Sequence, residues 1–319
     1  MDSMTALTRT FSHWKLRTRT LELGRRTLVM GVINITPDSF SDGGLFLAPE
    51  AAVARALQLL DEGADLLDLG AESTRPGSQA GNATEAAVRA TAAVSANEEQ
   101  ARVLPVIEGI LAVRPDAILS ADTYKSATAR AALTAGAEII NDVSGFCWDE
   151  TMPAVCAQSA CGVVLMHTRG RPDEWREHEK LPSDALMNLV RTGLAKSMEM
   201  ASLAGIRAEA IILDPGYGFG KKFDENYTLL ARQAELLALG RPLLVGVSRK
   251  SFLGHTLAPL YAGKQAPIEA RETAGIAALV ATILHGASIV RVHNVRPAVE
   301  AARIADAVIA ASDQKSAQW

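Results

Sequence analysis

Eight apolar runs recur along the chain, and most of them end on a residue that apolar packing cannot explain. They are LVMGVIN (28–34), DLLDLGAE (65–72), AILSADT (117–123), EIINDVSG (138–145), CGVVLMH (161–167), AIILDPG (210–216), LLVGVSRK (243–250) and ASIVRVHN (287–294). At or near their C-terminal ends stand Asn34, Glu72, Asp122, Asn141, His167, Asp214, Lys250, and Arg291 with His293. A parallel strand covered on both faces reads as a continuous apolar run. Polar groups set repeatedly at the exit end therefore imply one shared rim where chemistry happens. A (β/α)8 barrel carries its active site on that rim.

The segments between these runs have helical periodicity. Those at 49–63, 124–137, 184–205, 225–240 and 269–286 close on or beside a glycine, which supplies a left-handed cap at little cost. Segments 97–113 and 296–312 are also read as helices. Strand and helix in alternation specify a parallel sheet with right-handed crossovers, and eight units favour closure into a TIM barrel. Alternation in WKLRTRTLEL (14–23), followed by Gly24, predicts a β-hairpin ahead of the barrel. The expected organisation is a flexible tail over 1–13, a single barrel domain over 14–311 and a short tail over 312–319. The Ala-rich stretch 78–96 breaks the rhythm and is read as an extra surface loop with a helical piece.

At 319 residues the chain exceeds the ~250 of a typical barrel. Its net charge of −4 does not point to nucleic acid or an anionic membrane as partner. The longest apolar stretch, 274–284, falls short of the ~20 residues a bilayer needs, and it suits a helix packed on a sheet. Cys147, Cys156 and Cys161 lack metal-finger spacing, and their odd number favours a reducing compartment. They are expected to be inert, buried or half-buried thiols. The first 26 residues have no apolar core of a secretory signal, so a cytoplasmic location is expected.

Several motifs suggest a ligand. NITPDSFSDGG (34–44) is a polar loop at the barrel mouth whose aromatic Phe40 favours a substrate lid. In GAESTRPGS (70–78), Ser73 and Thr74 beside Arg75 suit anionic oxygen, and Pro76-Gly77 fixes a turn. Asp122, Asn141 and Asp214 offer acceptors and a donor for a flat heterocycle rich in N–H groups. DPGYGFGK (214–221) lacks the lysine and hydroxyl spacing of a phosphate loop and reads as shape around a ring. Lys250, Arg249, Arg291 and His293 suit a phosphate or pyrophosphate on the late strands. Arg291 and His293 share a strand face, whereas Arg249 should oppose Lys250. His167 ends a strand and is read as a candidate for the rim. His13, His178, His255 and His285 have no partner at metal spacing.

Seven motifs occur in order: MGVINITPDSFSDGG, GAESTRPG, SADTYK, INDVSG, LDPGYGFGK, GVSRKS and RVHNV. Together they resemble the dihydropteroate synthase family over roughly residues 14–311. The resemblance implies condensation of 7,8-dihydropterin-6-ylmethyl diphosphate with 4-aminobenzoate, assisted by Mg2+, in a homodimer joined through late helices. It implies Asn34 as the residue holding magnesium. Thr74, Arg75, Arg291 and His293 would contact the pyrophosphate. Asp122, Asn141, Asp214 and Lys250 would hold the pterin, with Asp122, Asp214 and Lys250 acting in catalysis. Phe40, Pro76 and Ser248 would frame the 4-aminobenzoate pocket, which sulfonamides imitate their way into. Tyr217 stands where the family often has phenylalanine, and LMHTRG (165–170) departs from the usual run. No segment suggests a second, pterin-phosphorylating domain, so a monofunctional enzyme is expected. A pterin-dependent methyltransferase and a non-catalytic pterin-binding barrel are the alternatives.

Overall fold

A computed structural model describes residues 9–35, 49–72 and 94–316. An antiparallel hairpin, β1 (Ser12–Lys15) with β2 (Thr20–Leu23), precedes eight parallel strands. These are β3 (Leu28–Asn34), β4 (Leu66–Gly70), β5 (Leu119–Asp122), β6 (Ile139–Asp142), β7 (Gly162–Met166), β8 (Ile211–Asp214), β9 (Leu243–Val245) and β10 (Ala287–Val292). They close in sequence order, with β10 completing the ring between β9 and β3. The expected TIM barrel with an N-terminal hairpin is the fold.

The described helices are α1 (Pro49–Asp61), α2 (Ala96–Val113), α3 (Ser126–Thr134), α4 (Met152–Ser159), α5 (Ser183–Leu203), α6 (Phe223–Ala231), α7 (Ser251–Thr256), α8 (Glu272–Leu284) and α9 (Val295–Ser316). Their apolar faces and the outward strand residues form one continuous layer around the barrel. Ser95 starts α2 by accepting the Glu98 N–H through its hydroxyl, 3.2 Å away. The apolar stretch 274–284 is α8, which buries Ala278, Leu279 and Ile283. The segment expected as one helix over 225–240 divides, because α6 ends at Ala231 and a 3-10 turn runs on to Leu239.

The hairpin seals the N-terminal end of the barrel. Trp14 is fully buried and donates its indole N–H to the Ala210 carbonyl at 2.9 Å. Around it lie Leu16, Leu23, Leu28, Met30, Leu66, Ile139, Val164, Ile212, Leu244 and Ile289, the apolar lower half of the interior. Gly162 makes the close approach possible: a Cβ there would lie 2.6 Å from Leu16 Cδ2.

Three expectations need adjustment. The chain is anchored before residue 14, since Arg9 pairs with Asp306 at 2.6 Å and β1 begins at Ser12. At the other end α9 continues to Ser316, past the expected boundary at 311. Cys156 and Cys161 are buried as expected, but Cys147 is exposed. The loop over 34–44 beyond Ile35, and most of 78–96, lie outside the described residues.

Candidate active site

The strand register sets the rim. Asn34 pairs with Gly70, Gly70 with Asp122, and Asp122 with Asn141, so four consecutive strands present this row at one height. Inward-facing parity adds Asp68 on β4 and Arg291 on β10. Gly70 leaves room for its neighbour, since a Cβ there would already touch the Asp122 carboxylate at 3.4 Å.

Arg291 lies at the centre of this group. Its Nε donates to Asp68 Oδ2 at 2.6 Å, and its Nη2 donates to Asp122 Oδ2 at 2.7 Å. Asn141 Nδ2 donates to the same Asp68 Oδ2 at 2.9 Å. One guanidinium thus serves two carboxylates. Burial, joined by the charge of Asp68, outweighs the pull of Arg291 and pushes Asp122 up to about 7. Burial alone would lower Arg291, but Asp68 and Asp122 hold it above its ordinary value.

A second half of the site comes from β8 and β9. Asp214 ends β8, is buried, and accepts the Gly216 N–H at 2.7 Å. Burial raises it to about 6, against the opposing pull of that N–H, Lys250 and Arg291. Lys250 caps the start of α7, with its ammonium 4.0 Å from the centre of the Phe219 ring. Burial lowers it to about 8, although Asp214 and Asp122 favour its charge. Arg249, in a left-handed conformation at φ 61°, is exposed and lies outside this cluster. Ser248 Oγ lies 3.1 Å from His293 Nδ1, and both side chains are half-buried.

The glycine-rich loop after β8 folds around a buried lysine. Lys221 Nζ donates to the carbonyls of Gly216 (2.8 Å), His167 (3.2 Å) and Phe219 (3.2 Å), and lies 3.0 Å from His167 Nδ1. Gly216 is obligatory, because φ is +71° and a Cβ would lie 1.9 Å from the His167 carbonyl oxygen. His167, read as a rim candidate, is instead buried against Lys221; burial first, then that ammonium, hold it well below its usual range. Tyr217 turns outward and donates to Gln233 Oε1 at 2.9 Å. Phe219 and Trp148 instead pack on Tyr124, Val143 and Met166, an apolar cluster beside the charges.

Arg291 thus bonds Asp122 directly and is linked to Asn141 through their shared partner Asp68, and the fields of Asp214, Lys250 and Arg291 act on one another. Asn34 occupies the same row by register, and Ser248 pairs with His293 beyond the ends of β9 and β10. Phe40, Thr74, Arg75 and Pro76 lie outside the described residues. Glu72 belongs to a different set. It pairs with Lys125, which also reaches Glu99 at 3.3 Å, and this group ties the exit of β4 to α2.

A closed parallel barrel with carboxylates, a carboxamide and two half-buried cations at its mouth is an enzyme-type barrel suited to a flat, N–H-rich ring bearing an anionic group. The chain belongs to the pterin binding enzyme family, whose model matches residues 30–293. It is 39% identical to the dihydropteroate synthase of Escherichia coli, over 90% of this chain and 93% of that protein. It is 38% identical to the mitochondrial folate synthesis bifunctional protein of Pisum sativum, over 91% of this chain. There it spans only 55% of the relative's length. A dihydropteroate synthase of Xanthomonas albilineans, solved in complex with 7,8-dihydropteroate, superimposes with a TM-score of 0.75 at 37% identity, covering 93% of this chain and 98% of that one.

Proposed function

We propose that this chain condenses 7,8-dihydropterin-6-ylmethyl diphosphate with 4-aminobenzoate to give 7,8-dihydropteroate and diphosphate. The observation that carries this reading is the grouping of Asp122, Asn141, Asp214 and Lys250 with Arg291 at one end of the barrel, with His293 two residues beyond Arg291 just past β10. The carboxylates and the carboxamide match the hydrogen-bonding edge of a pterin. Arg291 and His293 suit the diphosphate. A barrel handling only a pterin and a methyl group would have no use for that anion site, which favours diphosphate release over methyl transfer.

The arylamine nucleophile is neutral at pH 7 and needs no strong base, so the barrier lies in breaking the C–O bond to diphosphate. Asp122 and Asp214, ionised and bonded to the ring, stabilise positive charge as it develops on the pterin and its exocyclic methylene. Arg291 and His293 take up the charge of the leaving group. The path is dissociative, of SN1 type. Phe219 and Met166 give the mouth an apolar wall that limits competition from water.

Magnesium fits the donors present. Among the described residues no group of three or more His, Cys, Asp or Glu could hold a metal ion. Asn34 offers a single hard oxygen at the rim, and Mg2+ characteristically takes one or two protein oxygens with phosphate oxygens and water. Asn34 would hold the ion, which would supply charge neutralisation for the diphosphate.

No described helix is long and apolar enough to cross a membrane. The protein works in the cytoplasm as a homodimer through its late helices, where Ile304 and Val308, one turn apart on α9, are exposed. Sedimentation at enzyme concentrations checks the dimer. Function is tested by measuring diphosphate and dihydropteroate together, with each substrate omitted in turn. Stoichiometric formation of both is expected; no turnover with 4-aminobenzoate in the presence of Mg2+ overturns the reading. Scrambling of the bridging oxygen without amine tests the dissociative path.

A further inference from the structure

The reaction proposed above gives Asp68 no task, yet it is the carboxylate on which the rim is assembled. It is fully buried on β4. Its Oδ2 receives both Arg291 Nε and Asn141 Nδ2, while its Oδ1 is buried with no hydrogen-bond partner. The register partner of Asp68 on β5, Ser120, likewise has a buried hydroxyl without a partner. A buried acceptor left open is costly, and such groups call for an explanation.

The geometry of Arg291 supplies one. Nε and Nη2 form one edge of the planar guanidinium, an edge that fits both oxygens of a single carboxylate. Here the edge is split, with Nε on Asp68 Oδ2 and Nη2 on Asp122 Oδ2. Asp122 thus gives one oxygen, Oδ2, to Arg291, and a pterin edge that takes this oxygen must displace Nη2. Losing the Arg291–Asp122 bond without replacement would leave a half-buried charged donor, Nη2, short of a partner, a cost that ring binding would have to offset.

We propose that Asp68 is a positioning residue that releases Asp122 to the pterin by taking over Arg291. As the ring engages Asp122, Nη2 of Arg291 transfers to the open Oδ1 of Asp68. The guanidinium then sits bidentate on one carboxylate, with its outer edge available to the diphosphate. Asn141 stays in place throughout, held by Oδ2. The idea rests on the pterin reading of the site, because it requires the ring to use Asp122.

A mutant cycle tests it, with 6-hydroxymethylpterin, a ring without diphosphate, as the binding probe. Asp68→Asn has one oxygen and cannot seat the guanidinium edge. It is expected to weaken the probe's Kd about tenfold while the same change in an Arg291→Met background shifts it less than about twofold, the non-additivity of coupled residues. In turnover, Asp68→Asn raises KM for the pterin diphosphate and leaves KM for 4-aminobenzoate nearly unchanged. An equal loss of pterin affinity in both backgrounds makes Asp68 an independent contact and overturns the proposal. Unchanged affinity in Asp68→Asn overturns it as well.

If Asp68→Asn does not fold, Asp122→Asn decides. Its crystal structure is expected to show Arg291 on both oxygens of Asp68; an Oδ1 still without Arg291 overturns the proposal. A wild-type protein that binds the probe but forms no dihydropteroate overturns the proposed reaction and leaves the cycle readable. One that does not bind the probe overturns the pterin reading, and the Asp122→Asn structure still reports where Arg291 goes.

Discussion

The two halves of the barrel interior obey opposite rules. Below, Leu28, Met30, Leu66, Ile139, Val164, Ile212, Leu244 and Ile289 pack with the Trp14 plug at the barrel floor. Above, Asp68, Asp122, Asp214, Arg291 and Lys250 crowd together, and burial or neighbouring charge displaces the ordinary ionisation of Asp122, Asp214, Arg291 and Lys250. The same eight strands carry both halves, and successive inward positions along a strand pass from one to the other. Close packing below gives the stability that lets a poorly compensated cluster of charges persist above. Stability and chemistry are thus separable along the barrel axis, and substitutions should separate them.

The largest effect is expected above. Asp122→Asn should lower kcat/KM for dihydropteroate formation by about a thousandfold, the scale of losing a principal electrostatic contact. Its melting temperature should change little. A fully active variant removes Asp122 from the mechanism. Next comes the plug: Trp14→Ala should cost about 3–5 kcal/mol in denaturant unfolding while kcat of the folded fraction stays near wild type. Turnover that collapses with the fold intact would show that the halves are coupled.

Proton titration sharpens the contrast, since it acts on the upper half alone. Asp122 and Asp214, raised to about 7 and about 6, take up protons as pH falls, and pterin affinity weakens with them. Lys250, lowered to about 8, loses its charge above that value. Affinity should therefore peak between about 7 and about 8, and calorimetric titration across this range checks it. A flat profile would mean that the ring does not use these groups. The smallest effect belongs to Tyr217→Phe, which deletes a buried bond to Gln233 outside the mouth. A loss of about 1 kcal/mol in stability is expected, with turnover unchanged.

The barrel was legible because each strand announces itself by composition and its exit by a polar residue. The helices at 152–159 and 251–256 were not, being short, and neither shows a long amphipathic stripe. Asn34, Asp122, Asn141, Asp214, Lys250 and Arg291 stood at run ends and could be read there. Glu72 also stood at a run end, but it turns to Lys125 instead. Asp68, inside the same run, is the residue that reaches the site. Period-two parity was the available signal, since Asp68 shares a face with Leu66 and Gly70 and so points inward. His167 and Lys221 satisfy each other across 54 positions, a pairing that no local pattern encodes.

The hairpin under the barrel has a consequence for traffic. With its floor stoppered by Trp14, the barrel is a blind well, and everything enters and leaves by one opening. In the proposed condensation, whichever substrate seats deeper must go in first. Such a vessel empties in the reverse of its filling order.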